Sequence, residues 1–483
     1  MTYPQIIQGG MGVAVSSWTL ARAVASQGQM GVVSGTCMDT VLTRRLQLGD
    51  AGGHMRRAME AFPIPEIAEA VYTRYFVEGG IQPGTPFKSK PVPSARPGKT
   101  LTDLTVLANF VEVWLAKEGH DGAVGINLLE KIQVPTLPSL LGAMMAGVDY
   151  VIMGAGIPRA IPGILEKFSR GEEARMDINS TDHPDLVDAE RVTMALNPAD
   201  YGLTSLPRPK FLAVVSSALL GVLLTKKINP PVDGFVIEGP TAGGHNAPPR
   251  GELRLSESGE PIYGEKDEVD LAKFREIGLP FWLAGSYAGR LDEALREGAA
   301  GIQVGTAFAF CDESGMRSDV KARVLRSSLE GTARIKTDHR ASPTGFPFKV
   351  VQDPDTVANV QIYKARNRIC DLGYLREVTR DAAGKLVYRC PAEPGEDFIK
   401  KGGAAEELEG RMCVCNGLFS CVGLGQVRED GPEPVLITAG DEVENLRRFV
   451  PAGATHYTAK DVIDYLLRPV QSPELMTVAD PVV

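Results

Sequence analysis

One stretch of the chain gathers residue types suited to proton chemistry: Glu238-Gly239-Pro240-Thr241-Ala242-Gly243-Gly244-His245-Asn246-Ala247-Pro248-Pro249-Arg250-Gly251. An imidazole has an unperturbed pKa of about 6.5 and exchanges a proton near neutrality. Gly243 and Gly244 remove side-chain bulk beside His245, so the loop is expected to hold the ring over a pocket. The alternative is a surface histidine in a proline-rich loop. Zinc ligation here is disfavoured, because no second His or Cys stands at ligand spacing nearby. His54, His120, His183, His339 and His456 lie in no comparable context. His245 is therefore the candidate catalytic residue.

Two further segments point to an anion. Leu283-Ala284-Gly285-Ser286 and Gln303-Val304-Gly305-Thr306-Ala307-Phe308 both end an apolar run in Gly followed by a hydroxyl residue. Glycine lets backbone amides approach phosphate oxygens, and Ser286 or Thr306 can add hydrogen bonds. The alternative is that these glycines only make tight strand-to-helix turns. A third segment, Gln8-Gly9-Gly10-Met11-Gly12, suggests a flat group lying close over the backbone. It is not a dinucleotide fingerprint, since no G-x-G-x-x-G follows the run.

These segments need elements to place them. Eight short apolar runs recur along the chain, at Gln5–Gly10, Met30–Gly35, Ala123–Leu129, Tyr150–Gly156, Phe211–Ser217, Gly234–Pro240, Phe281–Ser286 and Gly301–Phe308. Helix-like stretches lie between them, among them Thr19–Ser26, Leu104–Lys117, Val269–Ile277 and Leu291–Glu297. Continuous apolar strands alternating with helices read as parallel strands buried on both faces. Eight of them predict an α/β fold of the (β/α)8 TIM-barrel type, with an open doubly wound sheet as the alternative.

Two connections exceed one helix. Residues 36–103 contain helical parts (Val41–Ala61, Ile64–Tyr75) and a basic, proline-rich part from Lys88 to Lys99; residues 171–209 are charged and irregular in pattern. Both follow strands and should emerge where substrates bind, either as a substrate-shaping lid or as solvated excursions or oligomer contacts. The expected division is a barrel over 1–335, with these insertions, and an α+β extension over 336–483. In the extension, Cys370, Cys390, Cys413 and Cys415 admit a structural Zn or Fe–S site. Their spacing, with one Cys-x-Cys and no Cys-x-x-Cys, fits buried reduced thiols slightly better. An apparent helix, Ala459–Leu467, and a frayed polar tail are expected at the end.

Bulk properties narrow the class. Hydrophobic residues make up 43% of the 483 and charged residues 23%, an ordinary globular balance. The formal net charge of −9 argues against nucleic acid or an acidic membrane as the main partner. Seven cysteines in such a length make no disulfide framework, which favours a reducing, cytoplasmic setting. No export signal is read at Met1–Gln5. The most apolar stretch, Phe211 to Leu224, is interrupted by Ser216, Ser217 and Gly221 and falls short of the ~20 residues of a membrane span.

Taken together, Ile6–Gly12, Gly125-Ile126-Asn127-Leu128, Glu238–His245, Leu283–Gly285 and Val304–Ala307 resemble the nitronate monooxygenases, also called 2-nitropropane dioxygenases, over about residues 4–335. Trans-acting enoyl reductases of polyketide and polyunsaturated fatty acid synthesis and NAD(P)H:quinone reductases are related. The resemblance implies a flavoprotein with non-covalent FMN. Its phosphate would lie on Gly285, Ser286, Gly305 and Thr306. Its ring would lie near Gly9, Gly10, Met11 and Asn127, with Gln8 pointing at it and Gly243 and Gly244 close by. His245 would be the base or polarising group, working on nitronates or nitroalkanes with O2.

Two departures bear on the substrate. The long insertion after the second strand is similar to that of carrier-dependent enoyl reductases, and Ser342–Lys349 lacks the Ser-Gly-Arg-Pro common in the family. Three functions follow: a nitronate monooxygenase or related flavin oxidase; an enoyl reductase acting on acyl chains, with Lys88–Lys99 meeting an acyl carrier protein; or a barrel without flavin. The expected partners are a small-molecule nitronate or acyl substrate and a second copy of the chain in a homo-oligomer, with no nucleic acid and no membrane span.

Overall fold

The computed structural model describes residues 3–182, 191–381 and 383–468. Eight parallel strands form one sheet: β1 (Ile6–Gln8), β2 (Gly31–Ser34), β3 (Val124–Leu129), β4 (Tyr150–Gly154), β5 (Lys210–Val215), β6 (Gly234–Glu238), β7 (Phe281–Ala284) and β8 (Gly301–Val304). Neighbours run in the order β1-β8-β7-β6-β5-β4-β3-β2. The two ends then meet. Ile7 and Met30 form a parallel bridge, and Gln8 N–H donates to the Met30 carbonyl at 2.9 Å. The Gln8 side chain completes the seam, accepting Val32 N–H at 2.9 Å. The result is the expected (β/α)8 barrel.

The strands close because both faces are apolar. Ile7, Val32, Ile152, Leu212, Val236 and Trp282 fill the interior, all essentially without solvent contact. The barrel is thus a packed core, and a site has to be built at its rim. Outside, helices such as Trp18–Ala25 and Lys99–Lys117 cover the strands with Leu20, Val24, Leu104 and Leu107.

Both insertions are more ordered than their composition suggests. Residues 36–103 supply helices Met38–Gln47, His54–Glu60 and Pro65–Tyr75. Their basic stretch is largely spent internally. Lys90 pairs with Asp39 at 2.7 Å, Lys99 with Asp103 at 2.7 Å, and Lys88 donates to the Arg74 carbonyl. The second insertion holds an antiparallel hairpin, Ala174–Ile178 with Val192–Leu196. Ala174, Met176 and Ile178 are buried while Arg175 and Asp177 are exposed, the two-residue period of a half-buried strand. That alternation was masked by the charges, so the irregular reading is corrected. His183 lies outside the described residues, as does most of the polar tail.

After the barrel, Ile335–Asp338 pairs with Phe348–Val351. A second sheet joins Leu386–Arg389, Glu377–Arg380 and Ser180–Asp182, so the extension and the second insertion fold together. Phe419, Ile437, Leu446, Phe449 and Ile463 belong to the same continuous core as the barrel's outer face. Tyr457, buried, donates to the Ala307 carbonyl at 2.7 Å. The last helix among the described residues, Ala459–Leu466, begins at a reciprocal Thr458/Asp461 cap. No helix among the described residues is long and apolar enough to cross a membrane.

Candidate active site at the barrel mouth

His245 sits just past β6, and two segments from beyond the barrel hold its loop. Gly244 N–H donates to Thr438 Oγ1 at 3.0 Å, and Lys349 N–H to the Gly244 carbonyl at 3.0 Å. Asn246 N–H donates to the Pro347 carbonyl at 2.9 Å. The imidazole meets the Phe348 ring edge-on at 4.8 Å between centroids. Its Nε2 lies 2.6 Å from Ser342 Oγ, which in turn contacts Thr344 Oγ1 at 2.9 Å. The ring is thus fixed in orientation by a hydroxyl pair. Its surroundings also set its charge. Burial, with the nearby Lys131 ammonium adding to it, pushes His245 down to about 3. The near-neutral exchange expected of a free imidazole gives way to a ring that favours its neutral form near pH 7.

One cavity brings the sequence-derived positions together. Gly285 and Ser286 follow β7, and Gly305 and Thr306 follow β8; all four line the cavity, as does His245. Gly9, Gly10 and Met11 from the end of β1, Asn127 from β3, and Gly243 and Gly244 line it too. Gly285 has φ +85°, and a Cβ there would stand 2.9 Å from Thr241 Oγ1. A Cβ on Gly10 would fall 2.2 Å from that of Asn127. Both positions therefore require glycine. Thr306 Oγ1 accepts Gly440 N–H at 2.8 Å, which ties the extension to this rim.

Gln8 is the exception. It is wholly buried, and its amide is used on Gly9, Ser16 and Val32, so it closes the barrel seam and does not line the cavity.

Four residues not singled out by the sequence matter here. Gln303, on β8, lines the cavity with its Oε1 buried and without a hydrogen-bond partner. A lone amide in the apolar run Gly-Ile-Gln-Val was the readable signal. Glu238 ends β6 at the cavity wall, and burial raises its carboxyl to about 7. Lys131 follows β3, set against the Phe346 ring, with its buried Nζ unpartnered; burial lowers it to about 7. Ser342 had no local signal, because its partner His245 lies 97 residues earlier in the chain.

The glycine cradle and the orphaned amide oxygen suit a flavin mononucleotide. Backbone amides can meet a phosphate, and an unpaired acceptor can take the imide N–H of a flavin ring. Beyond His245 and Glu238 lies a second cavity of about 250 Å³, sharing Ala155, Val214, Glu238 and His245 with the first.

Cys370, Cys390, Cys413 and Cys415 border one small void. Among the described residues, however, no group of three or more His, Cys, Asp or Glu side chains is placed to hold a metal ion. Burial raises the Cys370 thiol to about 11 and pushes Cys390 and Cys415 up as well, keeping them protonated. The Zn or Fe–S alternative is therefore corrected in favour of packed thiols.

The rim belongs to a (β/α)8 barrel with a glycine-lined cavity at its mouth. Residues 212–359 match the family model described as nitronate monooxygenase. No curated protein matches the chain. Similar solved structures include FabK from Thermotoga maritima (15% identity, TM-score 0.48, covering 96% of this chain and 92% of that one). A nitroalkane oxidase from Streptomyces ansochromogenes is similar at 15% identity and TM-score 0.45, covering 96% and 94%. The enoyl reductase domain of MlnA from Bacillus amyloliquefaciens is similar at 10% and 0.45, covering 95% and 92%.

Proposed function

We propose that the chain is an FMN-dependent oxidoreductase that oxidises nitronates, using O2 as the final acceptor. The observation that supports this most is the convergence of the Gly285 and Gly305 turns and His245 on one cavity. Gly285, Ser286, Gly305 and Thr306 would hold the phosphate; Gly9, Gly10, Met11, Asn127 and Gln303 would hold the ring. FMN, when bound, supplies the electron-accepting ring, and the protein supplies position and electrostatics.

A neutral His245 can accept a proton but is a weak base. The fit is therefore better for a nitronate, which arrives deprotonated, than for its parent nitroalkane. Lys131, when protonated, adds positive charge near His245 and so favours an anion there. Ser342 keeps the imidazole aimed, and Glu238 can carry a proton near pH 7.

A second reading, an enoyl reductase, is favoured by the apolar second cavity beyond His245. Oxygen consumption with propionate 3-nitronate supports the first; NADPH oxidation that requires an enoyl thioester, without nitronate turnover, replaces it with the second.

A further inference from the structure

We infer that Glu442 and Arg448, both carried by the extension, complete the phosphate end of the flavin cavity: Glu442 as a protonated acid that hydrogen-bonds the phosphate, Arg448 as the balancing cation, so that FMN enters with uptake of a proton. This rests on the flavin reading of the first cavity and adds a cofactor-binding pair to it.

The need for the pair comes from charge. A phosphate monoester carries about −1.5 to −2 near neutrality. Among the described residues that line the first cavity there is no Lys or Arg, and the acids are Glu238 and Glu442. Backbone amides offer partial charges only. An ionised carboxyl beside the phosphate would weaken binding, because charges in a partly buried site are poorly screened.

The pair sits between the two turns proposed for the phosphate. Both residues lie on the short helix Asp441–Phe449. Just before it, Gly440 N–H donates to Thr306 Oγ1 at 2.8 Å, at the turn after β8. Near its end, the Arg448 guanidinium donates to the Ala288 carbonyl at 2.9 Å, two residues past Ser286 in the turn after β7. Glu442 lines the cavity and forms an ion pair with Arg448. The pair has capacity to spare: Glu442 Oε1 and Arg448 Nε are both buried without an aligned hydrogen-bond partner. Although the extension carries it, the pair bonds to the barrel's own turn, apart from the residues that hold His245.

The proton is available there. Burial raises the Glu442 carboxyl to about 7, with Arg448 working against that rise. The neighbouring groups are otherwise engaged. Tyr457 donates to the Ala307 carbonyl, Asp441 pairs with Lys349, Arg290 with Glu293 and Arg323 with Asp353. Tyr465 packs against the Arg448 guanidinium at 5.5 Å, and Glu444, Arg447 and Arg326 are exposed. Cys421, on the cavity wall, is pushed up to about 12 by burial and stays neutral. A phosphate beside Glu442 would raise its carboxyl further, so binding draws a proton from solvent.

The test follows FMN affinity by flavin-fluorescence quenching from pH 7 to pH 9 in phosphate-free buffers, and proton uptake by titration calorimetry in two buffers of different ionisation enthalpy. FMN should bind about tenfold or more weakly at pH 9 than at pH 7, with more than about half a proton taken up at pH 8. The phosphate's own second ionisation, near 6, is largely complete over this range. Glu442→Gln should keep the pH 7 affinity, flatten the profile and abolish proton uptake. Arg448→Met should weaken FMN about tenfold at pH 7 and leave riboflavin, which lacks the phosphate, unaffected. Riboflavin affinity in the parent should not change with pH. A flat FMN profile in the parent, the parent's slope retained in Glu442→Gln, or the same slope with riboflavin, which would assign it to Glu238, overturns the inference while leaving FMN bound. FMN affinity unchanged in Arg448→Met overturns the part given to the cation. A protein that takes up neither flavin at any pH removes the flavin reading and the pair's role with it.

Discussion

The candidate site has two unlike walls. On the barrel side, Gly9, Gly10, Gly285 and Gly305 offer backbone, and the cavity's shape there is set by what side chains are absent. On the extension side, Ser342, Phe348, Thr438 and the Ala439–Gly440 backbone act through specific contacts that hold His245 and its loop. The difference separates two tasks: the barrel wall is suited to binding a cofactor, and the extension wall to governing the charge and aim of the proton-handling ring. Changes on one wall should therefore move cofactor affinity, and changes on the other should move turnover.

The largest effect is expected on the barrel wall. Gly285→Val places a branched side chain at φ +85°, with backbone strain of about 1–3 kcal/mol on top of the clash with Thr241. The purified variant should lose stoichiometric FMN, measured by absorbance after denaturation. Gly305→Val should do the same, and retained FMN in both would place the phosphate elsewhere.

Next comes the ring itself. His245→Asn should keep FMN but lower neutral nitroalkane turnover by about tenfold, less than the ~10²-fold of a base matched to the working pH, because the buried ring is a weak base. Preformed nitronate should suffer far less. Equal turnover of the nitroalkane would remove His245 from the mechanism. On the extension wall, Ser342→Ala removes the hydroxyl that aims the ring; losing that hydrogen bond, worth about 1 kcal/mol, should lower kcat about fivefold with FMN affinity intact. A loss of FMN instead would break the division between the walls.

Two smaller effects concern pH. Glu238 is raised to about 7, so it is protonated below that pH and ionised above it. A step that draws on its proton should slow as pH rises through about 7, and Glu238→Gln should abolish that inflection in kcat/KM. Folding stability carries the same sign: the raised carboxyl favours the fold at acid pH, and that contribution is lost as pH rises through about 7. Lys131→Met removes a charge that opposes protonation of His245. The imidazole pKa, followed by nitrogen NMR, should then rise from its depressed value; an unchanged titration would mean burial alone sets it.

What could be read from residues alone follows the same division. The strands announce themselves locally: runs such as Phe211–Val215 and Phe281–Ala284 are apolar throughout because both faces are buried, and each ends near its Gly or Ser. The glycines of the cradle are likewise visible, because backbone sites advertise themselves by missing side chains. Gln8 misled for a related reason. Next to two cavity glycines it reads as a ligand, yet its side chain points into the seam between β1 and β2.

The extension's contribution was illegible because it is made of long-range contacts. Ser342 touches a residue almost a hundred positions earlier, and Lys131 reaches His245 only through the fold. The depressed imidazole follows from that burial, which no local motif encodes. The cysteines illustrate the opposite error, since proximity along the chain and around a void does not make a ligand set: among the described residues, no three His, Cys, Asp or Glu side chains are placed for a metal.

The account stands or falls on what occupies the barrel mouth. Titrating purified protein with FMN, while following flavin fluorescence and absorbance, tests it most directly. Saturation at one FMN per chain, with affinity lost in Gly285→Val and kept in Ser342→Ala, is the expected result. A protein that takes up no FMN, or whose uptake is indifferent to Gly285→Val, would contradict it.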